Sequence, residues 1–599
     1  MQGLILAAGM GKRLKELTQD NTKCMVRVNG VTLIERALRI LDEINLSRVI
    51  IVVGYEGKKL VDYVNTLNVN TEIVFIDNPD YYKTNNIYSL YLAKDYMLKE
   101  DTLLLESDLI FEADVIECLV NDERETLALV DKYESWMDGT CMKVADDDSI
   151  EAFVPGNKFQ FDDANQYYKT VNIYKFSKYF SETHYVPFLE AYIKALGENE
   201  YYEQVLKVIT MLDAPGIKAK KLNGELWYEI DDIQDLDIAS SLFADDEEKL
   251  TNIQMRYGGY WRYPKLIDFC YLVNPYYPPK KLNDEIKANF DVLISQYPSG
   301  MRVNCLLAAK NFSVKQEHII VGNGAAELIK ALMEIIDGTI GIIRPSFEEY
   351  SHRCSEDKVV IFDTTQMVFQ YTVNDIIDYY TEHHVDNIVL INPDNPSGNY
   401  ISKKDIIELV EWCQKNAIRL IYDESFIDFS DEEDASLICE DIINKYNGLI
   451  IVKSISKSYG VPGLRLGILC SSNENLISNM KKDVSIWNIN SFAEFYLQIA
   501  EKYKKSYKEA MEGFRTTRDE FIKQLNNIGS LKAIPTQSNY VMAEVLNMTS
   551  RELTKRLLSE YGILIKDLSA KTHGRNYIRL AIRTETDNSY LINALSNIL

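Results

Sequence analysis

Short apolar runs recur along the N-terminal part of the chain, at residues 3–7, 48–53, 72–77 and 103–108, and the segment 32–44 carries apolar positions at helical spacing. Runs of that length bounded by polar turns predict buried strands, and their alternation with amphipathic helices predicts a mostly parallel α/β sheet. At residues 243–252 the chain turns polar and charged (FADDEEKLTN) before an aromatic-rich stretch, YGGYWRYPKLIDF. That shift predicts a domain boundary, with one domain at residues 1–243 and a second at 253–599.

Past the boundary the alternation restarts. HIIVGNGAAELIKAL, TIGIIRPSFEEY, NIVLINPDNPSG, RLIYDESFIDF and LIIVKSISKSYG each set an apolar run ahead of a polar, Gly- or Pro-marked loop. In open α/β sheets such strand-end loops are where ligands bind. From about residue 504 helical patterning dominates, apart from a strand-like stretch at 576–582, which predicts a smaller C-terminal lobe.

Composition acts mainly by exclusion. A chain of 599 residues with 46% hydrophobic content is long enough for two large cores. No apolar run reaches the ~18 residues of a membrane span, and the N-terminus lacks the form of a signal peptide. A formal charge of −25 disfavours non-specific binding to nucleic acid or to an anionic membrane, so neither partner is expected. The nine cysteines (Cys24, Cys118, Cys141, Cys270, Cys305, Cys354, Cys413, Cys439 and Cys470) stand singly, without zinc-site or disulfide spacing, and a cytoplasmic location is expected.

The first strand runs directly into Leu6-Ala7-Ala8-Gly9-Met10-Gly11-Lys12-Arg13-Leu14. Glycines there let the backbone approach an anion, N–H groups face phosphate oxygens, and Lys12 and Arg13 add positive charge. The Walker pattern is absent. A dinucleotide fingerprint would need a third glycine where Leu14 stands and an acidic residue where Gly54-Tyr55 stands, and Gly-x-Gly alone also suits a plain tight turn. Lys23 follows by one loop, where a long cationic arm reaches a triphosphate. Asp108 closes the apolar run 103–108, and Asp231 lies in Tyr228-Glu229-Ile230-Asp231-Asp232. Two strand-end carboxylates suit a shared Mg²⁺, although Asp231 also suits a helix N-cap.

LILAAGMGKRL and NTKCMVRVNG resemble the nucleotidyltransferases that activate sugar and alcohol phosphates. NNIYSLYLAKD (from Asn85) and WYEIDDIQDL (from Trp227) are similar in particular to the bacterial phosphocholine cytidylyltransferases, and the resemblance covers nearly all of residues 1–240. It implies a Rossmann-like nucleotidyltransferase sheet domain that binds CTP through Leu6, Ala7, Ala8, Gly9, Gly11, Lys12, Arg13 and Lys23. It also implies Mg²⁺ on Asp108 and Asp231, with Lys23 and Arg13 as catalytic cations. The implied reaction is attack by a phosphate or phosphonate oxygen on the α-phosphorus of CTP, expelling pyrophosphate. An anionic nucleophile needs no general base, so alignment and charge neutralisation suffice. One departure is Glu106, where relatives often carry Asp. Tyr133, Trp136, Asp138, Tyr201 and Tyr202 are candidates for meeting an acceptor amine, since aromatic faces and a carboxylate favour a cation. With 39 tyrosines in the chain, the pattern does not choose among them.

The strongest chemical signal is Ser454-Ile455-Ser456-Lys457-Ser458-Tyr459-Gly460, followed by Pro462-Gly463-Leu464-Arg465. A lysine just past an apolar strand, amid hydroxyls and glycines and near an arginine, suits Schiff-base chemistry beside a phosphate pocket. Asp423 ends the run RLIYD, where a carboxylate can keep a pyridine nitrogen protonated. Asn395, in Asn392-Pro393-Asp394-Asn395-Pro396, suits the phenolic oxygen of such a ring. Gly324 and Ala325 open a helix whose N-terminus can hold a phosphate.

Together these motifs resemble the fold-type I aminotransferases, in particular the group of histidinol-phosphate aminotransferase and threonine-phosphate decarboxylase, over residues 253–599. The resemblance implies pyridoxal 5'-phosphate as cofactor, Lys457 as its covalent partner and proton carrier, Asp423 against the pyridinium and Asn395 at the ring oxygen. It places Gly324, Ala325, Ser454, Ser456 and Arg465 at the cofactor phosphate, Phe347 on the ring, and Tyr297 at the neighbouring subunit's cofactor in a homodimer. Arg579 matches the group's substrate-anion arginine, Arg583 shares its face if the strand continues, and Asn274 joins them at the substrate. Phe426 stands where many aminotransferases carry a tyrosine, as in the decarboxylase branch.

The arrangement resembles fused cytidylyltransferase–aminotransferase enzymes of bacterial phosphonate biosynthesis. The expected activity is transamination of phosphonoacetaldehyde by an amino-acid donor to 2-aminoethylphosphonate, followed by coupling to CTP. Two other readings stand beside it. One is phosphoserine decarboxylation with cytidylylation of phosphoethanolamine or phosphocholine, and the other makes one domain a non-catalytic nucleotide sensor.

Overall fold

A computed structural model describes residues 1–599, the side chain of Asn157 excepted. The chain divides into two compact units, Met1–Pro264 and Lys265–Leu599.

In the first unit the strands Gln2–Ala7, Val49–Val53, Ile73–Asp77 and Thr102–Glu106 pair in parallel, with Gln2–Ala7 between Val49–Val53 and Thr102–Glu106. Val49–Val53 reads VIIVV and is buried at every position, as a strand covered on both faces must be. The ten-residue strand Tyr167–Phe176 then adds antiparallel to Thr102–Glu106 and extends the sheet to nine strands. Helix Leu33–Glu43 starts where Thr32 accepts a hydrogen bond from the Glu35 amide, and it buries Leu33, Ile34, Leu38 and Leu41. The polar stretch at 243–252 is no linker. It enters helix Asp246–Met255, capped by Asp245, which buries Leu250 and Ile253 and shows its charges to solvent. Past that helix, Arg262 bonds back to the Tyr228 hydroxyl at 2.8 Å and to Asp235 at 3.0 Å, so the unit runs to Pro264.

The second unit is built on a seven-stranded sheet. Its order is Ile319–Asn323, Leu466–Cys470, Leu449–Ser454, Arg419–Asp423, Asn387–Ile391, Ile340–Arg344 and Val359–Asp363. Leu466–Cys470 runs antiparallel to both its neighbours, and the other pairings are parallel. The five apolar runs read from the sequence are all strands here, and their carboxyl ends carry the Gly324, Pro345, Asn392, Glu424 and Ile455 loops. The smaller lobe exists as expected: helix Lys504–Asn526 leads into a four-stranded antiparallel sheet containing Tyr540–Val545 and Tyr577–Ala581. Among the described residues no helix is long and apolar enough to cross a membrane, and the cysteines are free.

Candidate functional site

In the first unit the strand Gln2–Ala7 carries Leu6, Ala7 and Ala8 to the sheet's edge as buried residues and releases Gly9 to the surface. Gly11 has φ +58, so the turn favours glycine, and a Cβ there would press on the Lys23 Cβ at 3.1 Å. The Thr18 hydroxyl donates to the Gly11 carbonyl at 2.8 Å and fixes the loop. Lys12 and Arg13 are exposed, while Leu14, at the third-glycine position of a dinucleotide fingerprint, is a core residue.

The charged residues converge as follows. Lys23 Nζ donates to Asp108 Oδ2 at 2.6 Å and to Asp231 Oδ1 at 2.8 Å. Arg13 reaches Asp231 at 2.9 Å and Asp138 at 3.4 Å. Asp231 is not the helix cap, because Asp232 takes that role, accepting from the Gln234 and Asp235 amides ahead of helix Ile233–Leu242. Asp231 is thereby left for cations. A third carboxylate joins them: ligand oxygens of Asp108, Glu229 and Asp231 all lie within 4.8 Å of one another. Glu229 was not singled out from sequence, although its i, i+2 relation to Asp231 on an extended segment puts both on one side. It is held by Lys169 at 3.2 Å and by the Asn172 amide at 3.2 Å. Asn172 sits at φ +60 where the register of Tyr167–Phe176 shifts between Thr170 and Tyr174, a bulge that aims its side chain.

Burial pulls the Lys23 ammonium down, but Asp108 and Asp231 outweigh it and raise its pKa. Burial pushes the Glu229 carboxyl up to about 7, with Lys169 opposing and Asp108 and Asp231 adding to the rise. Asp108 Oδ1 is buried with no hydrogen-bond partner. Three carboxylates, one with an unused oxygen, form a donor set that fits a hard divalent ion. The amine candidates do not form one cage. Trp136 stacks on Tyr228 at 4.1 Å, Tyr133 packs on Phe159 at 4.8 Å, Asp138 pairs with Arg13, Tyr201 is exposed, and Tyr202 alone is fully buried.

In the second unit Arg419–Asp423 and Leu449–Ser454 are parallel neighbours, which sets Asp423 beside the loop that carries Lys457. The Lys457 amine is pushed down to about 8 by burial first and then by the charges of Arg579 and Arg465, against a smaller pull from Asp423. Burial raises the Asp423 carboxyl, opposed by hydrogen bonds from Ser425 and from the Tyr350 hydroxyl, which donates at 2.8 Å. Tyr350, 73 residues upstream in the chain, gave no sequence signal. Asn274, expected at the substrate, is spent on the loop instead. Its amide side chain donates to the Ser458 carbonyl at 2.8 Å and accepts from the Tyr276 amide at 2.9 Å, while its backbone N–H donates to the Lys457 carbonyl at 3.0 Å.

Gly324 has φ +75, a conformation that favours glycine, and the Arg465 guanidinium packs directly over it. The next residue, Ala325, opens helix Ala325–Ile335 with no side-chain cap on its N–H groups. Ser456 Oγ is buried without a partner, and Ser454 lies beside it on the strand end. Arg579 donates to Asn395 Oδ1 at 2.6 Å and to the Cys270 carbonyl at 2.8 Å, over the Tyr540 ring, and its Nε is unpaired. Arg583 does not continue that face, since the strand ends at Ala581. Its guanidinium braces Asp587 at 3.0 Å and the Asp268 carbonyl at 3.0 Å. Phe347 is half-exposed in the loop after Ile340–Arg344, Phe426 packs edge-on against Tyr540 at 5.3 Å, and Tyr297 is 79% exposed and stacked on Trp487 at 4.4 Å. Uncapped helix amides, an orphaned hydroxyl, an arginine and a low-pKa lysine opposite a buried carboxylate fit a phosphorylated pyridine aldehyde.

The two sites define a class: a nucleotidyltransferase domain followed by a pyridoxal-phosphate-type transferase domain. The chain belongs to the aminotransferase class I and II family, whose family model matches residues 296–595. That family implies pyridoxal phosphate. Residues 3–153 match the MobA-like NTP transferase domain, and the chain is thus a bifunctional enzyme. It is similar along its whole length to the CMP-5'-(3-aminopropyl)phosphonate synthase of Streptomyces rubellomurinus, 26% identical over 604 aligned residues that cover 100% of this chain and 95% of the relative. It is 30% identical to the L-serine phosphate decarboxylase of Sulfurospirillum multivorans over 56% of this chain and 88% of the relative. The structure of the histidinol-phosphate aminotransferase from Clostridium acetobutylicum covers 56% of this chain and 99% of its own at 27% identity and TM-score 0.50.

Proposed function

We propose that the chain aminates phosphonoacetaldehyde to 2-aminoethylphosphonate, drawing the amine from an amino acid, and then couples the product to CTP to give its CMP ester and pyrophosphate. The observation that carries this reading is the pairing, in one chain, of a lysine amine depressed to about 8 beside an unsatisfied arginine with a three-carboxylate cluster that holds Lys23 and Arg13. Similarity along the whole chain to a synthase of a CMP-aminoalkylphosphonate supports it.

In the transfer step a phosphonate oxygen forms a bond to the α-phosphorus of CTP as the bond to pyrophosphate breaks. Lys23 and Arg13 neutralise the triphosphate, the backbone at Gly9 and Gly11 lines it, and Asp108 and Asp231, with Glu229 beside them, would hold Mg²⁺. Pyridoxal phosphate, when bound, supplies an aldehyde that condenses with amines and a ring that withdraws electrons from the carbon bearing them. Lys457 Nζ, whose amine gives up its proton at about pH 8 rather than at the ordinary value, takes and returns the proton at the substrate carbon. Asp423, held by Tyr350, would meet the ring nitrogen, Asn395 the ring oxygen, and Ala325, Ser454, Ser456 and Arg465 the cofactor phosphate, while Arg579 would draw the substrate anion. Exposed apolar side chains at Phe290, Val292, Ile294, Ile486 and the stacked pair Tyr297 and Trp487 support a homodimer through this unit.

Pyrophosphate release from CTP and Mg²⁺ with 2-aminoethylphosphonate, phosphoethanolamine or phosphocholine tests the first activity, and consumption of phosphonoacetaldehyde with alanine, glutamate or aspartate tests the second. Silence with every acceptor sinks the transfer reading. A second reading, phosphoserine decarboxylation feeding CDP-ethanolamine formation, is favoured by Phe426 and by the decarboxylase relative. Release of CO₂ from phosphoserine would replace the first reading with it.

A further inference from the structure

Three charged side chains pack behind the loop that carries Lys457. Lys453, buried in strand Leu449–Ser454, donates to Glu424 Oε1 at 3.2 Å and to Asp428 Oδ1 at 2.9 Å. Glu424, the residue after Asp423, is fully buried and also accepts from the Ser436 hydroxyl at 2.6 Å and from the Leu437 amide at 2.8 Å. The second oxygen of Asp428 turns to the loop: Oδ2 accepts from the Ser458 hydroxyl at 2.6 Å, and Ser458 follows Lys457 directly. Burial pushes the Asp428 carboxyl up, but Lys453 and Ser458 outweigh it and hold it down, so it keeps its charge. The turn Ile427–Phe429 that presents Asp428 is itself clasped by helix Lys504–Asn526, from which Arg518 donates to the Phe429 carbonyl and Arg515 to the Ser430 carbonyl, both at 2.9 Å.

Such a cluster is a poor source of stability, because desolvating a lysine and two carboxylates offsets most of their attraction. What it does supply is direction, and the far side of the loop shows why direction has to be imposed. Ile455 and Tyr459, two residues before and after Lys457, line a hollow of about 60 Å³ together with Tyr277, Tyr496 and Tyr507. Packing fixes a side chain only where atoms fill the space around it, so on this face the loop lacks that hold. The Tyr507 hydroxyl faces Asp428 and Ser458 without completing a well-formed hydrogen bond. Asn274 secures the main chain by its bonds to the Lys457 and Ser458 carbonyls, and Asp428 secures the side chain that comes next.

We propose that Asp428 is a positioning residue for Lys457: gripped by Lys453, it anchors the Ser458 hydroxyl and so sets the direction in which the Lys457 amine leaves the loop. The inference rests on the reading of Lys457 as the lysine that meets pyridoxal phosphate. Asp428 acts through Ser458, and its effect is on how often the amine points at the aldehyde. A misplacement of about 1 Å can cost on the order of 100-fold in rate, so one lost anchor is enough to be measured.

Stopped-flow absorbance of the full-length apoprotein with added pyridoxal phosphate measures capture by Lys457, and hydrogen exchange of segment 455–460 reports on the loop without cofactor. Ser458→Ala leaves the three charges paired, and Asp428→Ala leaves Lys453 with Glu424, so neither variant strands a buried charge. Each is expected to slow capture by about tenfold or more and to speed exchange across 455–460, with exchange in the rest of the unit held. The double variant should be no slower than the slower single, because both substitutions remove one contact. Capture and exchange like the parent's in both single variants overturn the proposal. So do effects that add in the double variant, or exchange that rises evenly through the unit, which marks a merely structural role. If replacing Lys457 leaves the cofactor's absorbance unchanged, the failure belongs to the cofactor reading, and exchange at 455–460 still decides whether Asp428 holds the loop.

Discussion

Lys457 shows how much a single side chain owes to its surroundings. Its amine falls to about 8 because burial disfavours the charged form and because Arg579 and Arg465 repel it, so it is mostly protonated below that pH and neutral above. Only the neutral amine condenses with an aldehyde. Uptake of pyridoxal phosphate by the apoprotein, followed by the bound cofactor's absorbance, is therefore expected to quicken as pH rises to about 8 and then to level off. A rate that stays flat from roughly pH 6.5 to roughly pH 9 would contradict this assignment. The linkage has a definite sign. The unfolded lysine keeps its proton up to its ordinary value of 10.5, so the folded apoprotein is penalised below pH 8 and regains that stability as pH climbs between the two values.

At the scale of elements, two local devices aim the first site. The bulge in strand Tyr167–Phe176 holds Asn172 at φ +60, a conformation that costs most side chains ~1 kcal/mol or more and that asparagine and glycine tolerate. Asn172→Gly loses only the amide that steadies Glu229, whereas Asn172→Ala loses the amide and strains the backbone. Thermal unfolding should therefore rank the glycine variant above the alanine variant by about 1 kcal/mol, and the reverse order would mean that the bulge relaxes freely. The second device is the cap of helix Ile233–Leu242. Asp232→Ala removes a capping box, with an expected loss of about 1 kcal/mol. Since Asp231 is the adjacent residue, the Mg²⁺ concentration for half-maximal pyrophosphate release should rise as well, and an unchanged metal requirement would show that Asp231 is positioned independently of its neighbour. The helix that absorbs residues 246–255 carries a related lesson, because its polar composition is a solvent face and composition alone cannot separate that from a linker.

At the scale of the molecule, each unit has its own core and its own site, so inactivating one should spare the other. In the full chain, Lys457→Ala is expected to abolish transamination and cofactor absorbance while leaving pyrophosphate release with added acceptor intact, and Asp231→Asn should do the converse. Loss of both activities in either variant would reveal a coupling that two separate cores do not provide. The apolar face around Tyr297 and Trp487 makes a further demand. Trp487→Glu buries a charge in any interface formed there, and sedimentation should find a smaller species than the parent chain, with weaker retention of the cofactor. An unchanged sedimentation coefficient would place the interface elsewhere.

Residue order was enough for what is local: the strands and helices, the glycine turn that follows the first strand, and the lysine and aspartate motifs of the second unit. In each of these the side chains that act lie within a few residues of the pattern that betrays them. Which distant groups meet depended on the folded arrangement. Lys23 bonds Asp231 across 208 positions, Glu229 turns toward Asp108, Tyr350 finds Asp423, and Asn274 and Arg583 are drawn into structural bonds. Such meetings depend on strand order and register, which short-range spacing does not encode.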